Sequence, residues 1–80
     1  MQAIKAIKGD LVTVTGAEFH NMGHKPWVVL TAIDRQGKEL TVRSNGEGLV
    51  LDIEDAVCTL DMPFDARFEK RNGHWTLETE

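Results

Sequence analysis

The sequence predicts an all-β fold, a small five-stranded barrel with an additional C-terminal β-hairpin, and three observations lead there. Turn signals recur at short, even spacing: Gly9-Asp10, Gly23, Gln36-Gly37, Asn45-Gly46, Gly48 and Asn72-Gly73. The runs between them are rich in Val, Ile, Leu and Thr, residues that suit a pleated, half-buried surface. No window shows sustained apolar spacing at i, i+3, i+4 and i+7, so helix is expected only as one short turn at Glu54-Asp55-Ala56, with Asp52 as its cap.

Taken in order, Leu11 to Thr15 is the first strand. The stretch Ala17 to Lys25 reads as the longest loop, because Gly23 and Pro26 deny it a helix, with Phe19 tucked into the core. Pro26 then sits where a strand can begin, since a missing N–H is tolerated there. Trp27 to Ile33 is apolar on both faces apart from Thr31, which marks a central, bent strand giving side chains to the core throughout, Trp27 included. At Gln36-Gly37 a two-residue turn would set Asp34 against Glu39 and Arg35 against Lys38, so a wider loop is expected before the strand Glu39 to Ser44. Asn45-Gly46 reads as a two-residue hairpin turn that places Leu49 opposite Val42 and Leu51 opposite Leu40, with Thr41 and Arg43 on the other face. Leu49 to Ile53 is then the fourth strand. Val57 to Asp61 is the fifth, with Cys58 buried in it as a small hydrophobe. With Asn72-Gly73 as a turn, Ala66 to Lys70 and His74 to Thr79 form the last hairpin, pairing Phe68 with Leu77, Lys70 with Trp75 and Arg67 with Glu78. Such cross-strand pairs are worth about 0.2 to 1 kcal/mol each.

Eighty residues make one domain, 1–80, with the barrel in 8–61 and the hairpin of 66–79 packed on it. A chain of this size buries only about 60% of the surface its unfolded form exposes, so the core is small. Shared apolar surface would help it, and the terminal hairpin is a convenient edge for pairing, so a homo-oligomer is expected. The one cysteine excludes an internal disulfide and any Cys-x-x-Cys site, which fits a reducing, cytoplasmic setting. MQAIKAIKGD lacks the continuous apolar stretch of a signal peptide or anchor, and no segment approaches the roughly 20 apolar residues of a membrane helix.

The formal charge of −4 is unevenly spread. Glu47, Asp52, Glu54, Asp55, Asp61 and Asp65 occur with no Lys or Arg between Arg43 and Arg67. This weighs against broad contact with a phosphate backbone, which needs clustered cations to release counterions. A small basic patch of Lys5, Lys8, Lys25, Lys38 and Arg43 stays open as a nucleic-acid contact.

The segments GDLVTVTG, PWVVLTAID, GKELTVRS and GLVLDIEDA together resemble a small SH3-like barrel of the KOW type over roughly Lys8 to Leu60. Such families open the first strand with Gly-Asp, lead through a long loop to an apolar second strand, and place a Gly-marked hairpin before a short turn-like helix. The resemblance implies a module that binds RNA or the proteins of transcription and translation. In size and barrel layout the chain is also similar to the plasmid-encoded type II dihydrofolate reductases, whose active site uses a Val-Gln-Ile-Tyr stretch on a late strand of a tetramer. The corresponding Val50-Leu51-Asp52-Ile53 lacks the Gln, and the chain has no tyrosine, so no catalytic residue carries over.

Among chemistry-bearing residues, His20, Met22 and His24 are metal candidates, since imidazole and thioether in a mobile loop suit copper, or zinc with Asp or Cys58 completing the set. Against them, His-x-x-x-His aligns its rings only on a helix, and Gly23 and Pro26 interrupt one here. Cys58 lies between acidic neighbours that disfavour its thiolate, and no nucleophile, phosphate-loop or dinucleotide motif occurs. The expected function is therefore a non-enzymatic module, without cofactor, that engages a protein partner through the 17–25 loop and the acidic 47–65 stretch. His20, Asn21, His24, Lys25, Glu47, Asp52, Glu54, Asp55 and Trp75 are its candidate contact residues. Nucleic-acid binding is the second reading and metal binding the third.

Overall fold

Along Val12-Thr13-Val14 and along Val28 to Ala32, buried residues alternate with half-buried ones, the period of two that makes a strand with one covered face. The computed structural model describes residues 1–79 and arranges such strands into a curled, half-barrel sheet of six. In chain order these are β1 (Gln2–Ala3), β2 (Leu11–His20), β3 (Trp27–Ile33), β4 (Glu39–Ser44), β5 (Phe64–Arg71) and β6 (His74–Thr79), and they lie in the order β1-β4-β3-β2-β5-β6. Neighbours are antiparallel except β1, which runs parallel to β4. The one α-helix among the described residues, α1 (Glu47–Thr59), connects β4 to β5. Its Leu49, Val50 and Ile53 join Val12, Val14, Val28, Leu30, Val42 and Phe68 in one buried cluster.

The fold is thus mainly β with one helix and not all-β. Leu49 to Ile53 and Val57 to Asp61 are not strands: both fall in or at the end of α1. The buried positions Leu49, Val50, Ile53 and Ala56 follow i, i+1, i+4, i+7, one face of a helix, while Leu51, Asp52, Asp55 and Cys58 are exposed. Asn45-Gly46 accordingly makes no hairpin. Gly46 is the N-cap of α1, its carbonyl accepting from the Val50 N–H at 2.9 Å. Leu40 and Val42 instead pair with Ala32 and Leu30 of β3, and Leu51 faces solvent. Asp52 is inside the helix and caps nothing, the expected turn at 54–56 is only a part of α1, and Cys58 is exposed where burial was expected.

β2 runs five residues beyond its predicted end because of a bulge. Val14 pairs with Ala32 and Gly16 with Thr31, which leaves Thr15 as the extra residue. The bulge switches parity: Val12 and Val14 point into the core before it, Ala17 and Phe19 pack on the core after it. A Cβ added at Gly16 would meet the Thr31 side chain at 3.7 Å, ordinary contact, so the glycine marks the bulge without being sterically required. The connection to β3 shrinks to residues 21–26.

β3 and β4 keep their predicted bounds, and β3 is central, between β2 and β4. It does not feed the core throughout: Val28, Leu30 and Ala32 point inward, while Trp27, Val29, Thr31 and Ile33 lie half-buried on the outer face. Trp27 is therefore a surface residue where a core one was expected. The wide loop after β3 is present, with Asp34 accepting the Gln36 and Lys38 N–H groups through Oδ1 at 2.9 Å each. The last hairpin has the predicted register, Phe68 with Leu77, Lys70 with Trp75 and Arg67 with Glu78. Asn72 and Gly73, at φ 52° and 78°, form the mirror-image turn that matches the twist of two strands.

The N-terminal segment closes the open side of the half-barrel. After β1, the 3₁₀ turn Ile4–Ile7 buries Ile4 and Ile7 in the common core beside β4. Gly9 then donates to the Phe68 carbonyl of β5 at 2.8 Å. One short strap thereby joins the two halves of the sheet.

Candidate functional site

Register places the predicted contact residues in two groups. His20 ends β2 opposite Trp27, and Val28 pairs with Ser44 near the end of β4, so residues 21–26 and the Asn45-Gly46-Glu47 start of α1 leave the same end of the sheet. His20, Asn21, His24, Lys25 and Glu47 belong to that end. Asp52 and Asp55 stand further along α1, where they line a groove against β6 together with Ala56, Thr59, Thr76 and Leu77. Glu54 is half-buried on the same helix. Trp75 lies on β6, beyond the opposite end of β2 from the 21–26 loop, and packs partly buried on the core with the Lys70 ammonium 5.9 Å from its ring.

The loop end contains a feature with no counterpart in the sequence reading. On the outer face the His20 and Trp27 rings stack at 3.9 Å between centroids and 10° between planes. The Arg43 guanidinium, from β4 on the other side of β3, lies 4.2 Å from the Trp27 ring. Glu18 completes the row, with Oε1 3.0 Å from His20 Nε2. A shallow depression lined by Met1, Gln2, Ala3, Arg43 and Asn45 continues it toward the sheet edge. The signal for this ladder was present: Thr31 shares the parity of Trp27, and a lone polar residue on an otherwise apolar strand marks the face turned to solvent.

The loop is a tight excursion. Asn21 and Lys25 hold φ of 53° and 49°, and the His24 N–H donates to the Asn21 carbonyl at 2.9 Å. Met22 turns inward onto the core, Pro26 is buried, and His24 is exposed. The three metal candidates thus diverge: His20 is stacked on Trp27, Met22 packs inward and His24 faces water. Among the described residues no three His, Cys, Asp or Glu side chains gather as a metal set. The proposed basic patch is also spread out, with Lys25 before β3 and Lys38 in the loop after it, at opposite ends of that strand. Val50 to Ile53, compared above with a reductase strand, is helical.

A third cleft lies among Gly9, Asp10, Leu11, Asp34, Arg35 and Arg67, where the Arg67 Nε is shielded from solvent and has no hydrogen-bond partner among the described residues. Among the described residues no helix is long and apolar enough to cross a membrane. Comparison with family models, with curated proteins and with solved structures finds no match.

Proposed function

We propose that the protein is a non-enzymatic binding module that engages a protein partner at the loop end of the sheet, on a β2-β3-β4 meander used in the manner of SH3-like folds. The observation that carries this reading is the row Glu18, His20, Trp27, Arg43, a pre-ordered surface set beside the 21–26 loop in which two exposed charged groups flank two half-buried rings. Rigid strands that present such groups lower the ordering cost of association. Trp and Arg are also the side chains on which binding energy concentrates. The adjoining helix adds Glu47, Asp52, Glu54 and Asp55 with no basic residue, so the partner's complementary surface is basic.

A nucleic-acid partner is the second reading, favoured by Lys25 and Arg43 at the same end. The Trp27 ring already has His20 and Arg43 against it from strands on both sides, which leaves little of it for a stacked base. Capture from nuclease-treated extract, with wild-type protein and a Glu47→Lys/Asp52→Lys/Asp55→Lys variant side by side, tests the proposal. A protein retained by wild type, released by added salt and lost with the variant is the expected result. Recovery of nucleic acid alone from untreated extract would overturn it.

A further inference from the structure

Among the described residues β6 ends the sheet, and its second edge has no partner strand. Unlike the two-residue β1 at the other margin, it is six residues long and contains no proline, lysine or bulge; of the devices that protect an edge only a helix is near, α1 packing against β6 across the groove that Asp55, Ala56, Thr59 and Leu60 form with Thr76, Leu77 and Thr79. Its turn fixes which backbone groups are free. A two-residue turn closes on a hydrogen-bonded pair, here Arg71 with His74, and the pattern alternates from there. The N–H and C=O groups of His74, Thr76 and Glu78 therefore point to β5. Those of Trp75, Leu77 and Thr79 point to the open edge.

We propose that two copies of this chain pair through β6, antiparallel and with the two-fold axis at Thr76, so that their sheets become one. Thr76 then faces itself. Trp75 falls opposite Leu77 of the second copy on the core face, and His74 opposite Glu78 of the second copy on the outer face. Each pair occurs twice, apolar with apolar and imidazole with carboxylate, the Glu78 carboxylate accepting from Arg71 of its own hairpin at 2.9 Å. Trp75 and Leu77 are both half-buried in the single chain and pack on its core, so the pairing extends a face already apolar. Moving the axis by one residue to Leu77 loses this match, since Trp75 then meets Thr79 and Thr76 meets Glu78. Intermediate registers oppose core-facing to solvent-facing residues, which a sheet with one covered face rejects. It is this self-complementarity that points to a second copy over an unrelated strand. The loop end lies away from β6, so the row Glu18, His20, Trp27 and Arg43 stays open in both copies, whereas Asp52 and Asp55 line the groove beside Thr76 and Leu77 and border the pairing edge.

The register also makes a distance prediction. Thr76 with Thr76 is a non-hydrogen-bonded pair, whose Cα atoms sit about 4.5 Å apart, within disulfide reach. In a Cys58→Ser background, Thr76→Cys is expected to form a covalent dimer in a glutathione redox buffer. Thr41→Cys, exposed on the outer face of β4, is the control and is expected to remain monomeric. Sedimentation of wild-type protein from micromolar to millimolar concentration is expected to show a dimer. Thr76→Lys, which sets two ammonium groups together at the axis while facing Glu69 within its own hairpin, is expected to halve that mass with an unchanged circular dichroism spectrum. Wild-type protein that stays monomeric throughout, or Thr76→Cys that cross-links no faster than the control, would overturn the proposal.

Discussion

Trp27 is placed by parity alone, one step out of phase with Val28, Leu30 and Ala32, and that step puts the largest side chain of β3 on the surface. An indole standing on an open sheet face is partly shielded only if its neighbours lie against it. His20 and Arg43 do so from the two flanking strands. A cation over an exposed aromatic ring contributes about 0.5 to 1 kcal/mol, so Arg43→Ala is expected to lower unfolding free energy by about that amount. Arg43→Lys is expected to recover only part of it, because the flat guanidinium stacks and an ammonium does not. Urea titration measures both, and a red shift of Trp27 emission in a Trp75→Phe background reports the exposed ring. An Arg43→Ala protein with unchanged midpoint and emission would mean that the contact adds nothing.

At the scale of elements, α1 shows how a strand-like composition yields a helix. Val, Ile and Leu dominate the segment, and their β propensity favours strands. Spacing overrides it, and the expectation that no window carries sustained helical spacing fails here: Leu49, Ile53, Ala56 and Leu60 repeat at i, i+4, i+7, i+11, with Val50 and Val57 alongside, and the acidic residues fall largely between. The two assignments differ in a measurable way. A strand paired through Asn45-Gly46 buries Leu51 and exposes Val50; the helix buries Val50 fully and leaves Leu51 47% exposed. Leu51→Asp is accordingly expected to change stability by about 0.5 kcal/mol or less, the range of ordinary surface substitutions. Val50→Ala, which opens a cavity, is expected to cost about 1 to 3 kcal/mol, and Val50→Asp to prevent folding. Chemical denaturation followed by circular dichroism gives all three, and the reverse order would restore the strand. The comparison explains which elements were legible in the sequence. The Asn72-Gly73 hairpin was, because turn and cross-strand pairs lie within a few residues. So were the bounds of β3 and β4, set by Pro26 and Ser44. The length of β2 was not, because the bulge at Thr15 changes which side chains face inward and shows only against β3. At the candidate site the loop residues were legible as a group, whereas the Trp27 ladder depends on three strands lying side by side.

The whole molecule rests on a segment outside the larger strands. In the order β1-β4-β3-β2-β5-β6, β4 and β5 are separated by two strands, and a curled sheet of this kind leaves its core open between them. α1 covers part of that opening, and the strap from β1 to Gly9 covers another part. Ile4 and Ile7 retain 7% and 2% of their exposure, and the Gly9 N–H reaches the Phe68 carbonyl across the gap. With so small a core, these two isoleucines are a large share of what opposes chain entropy. Truncation of a buried isoleucine costs about 2 to 5 kcal/mol, against a total stability for small domains of about 5 to 15 kcal/mol. Ile7→Ala is therefore expected to cost about 2 to 4 kcal/mol although the residue belongs to no strand. The loss is expected to be felt on both sides of the gap at once. Single-tryptophan proteins, Trp75→Phe reporting from β3 and Trp27→Phe from β6, make this testable. In the wild-type background both probes are expected to unfold at one urea midpoint, and with Ile7→Ala both are expected to move together to a lower one. A β6 probe that melts before the β3 probe would show that the strap does not couple the halves and that the hairpin opens as a separate unit.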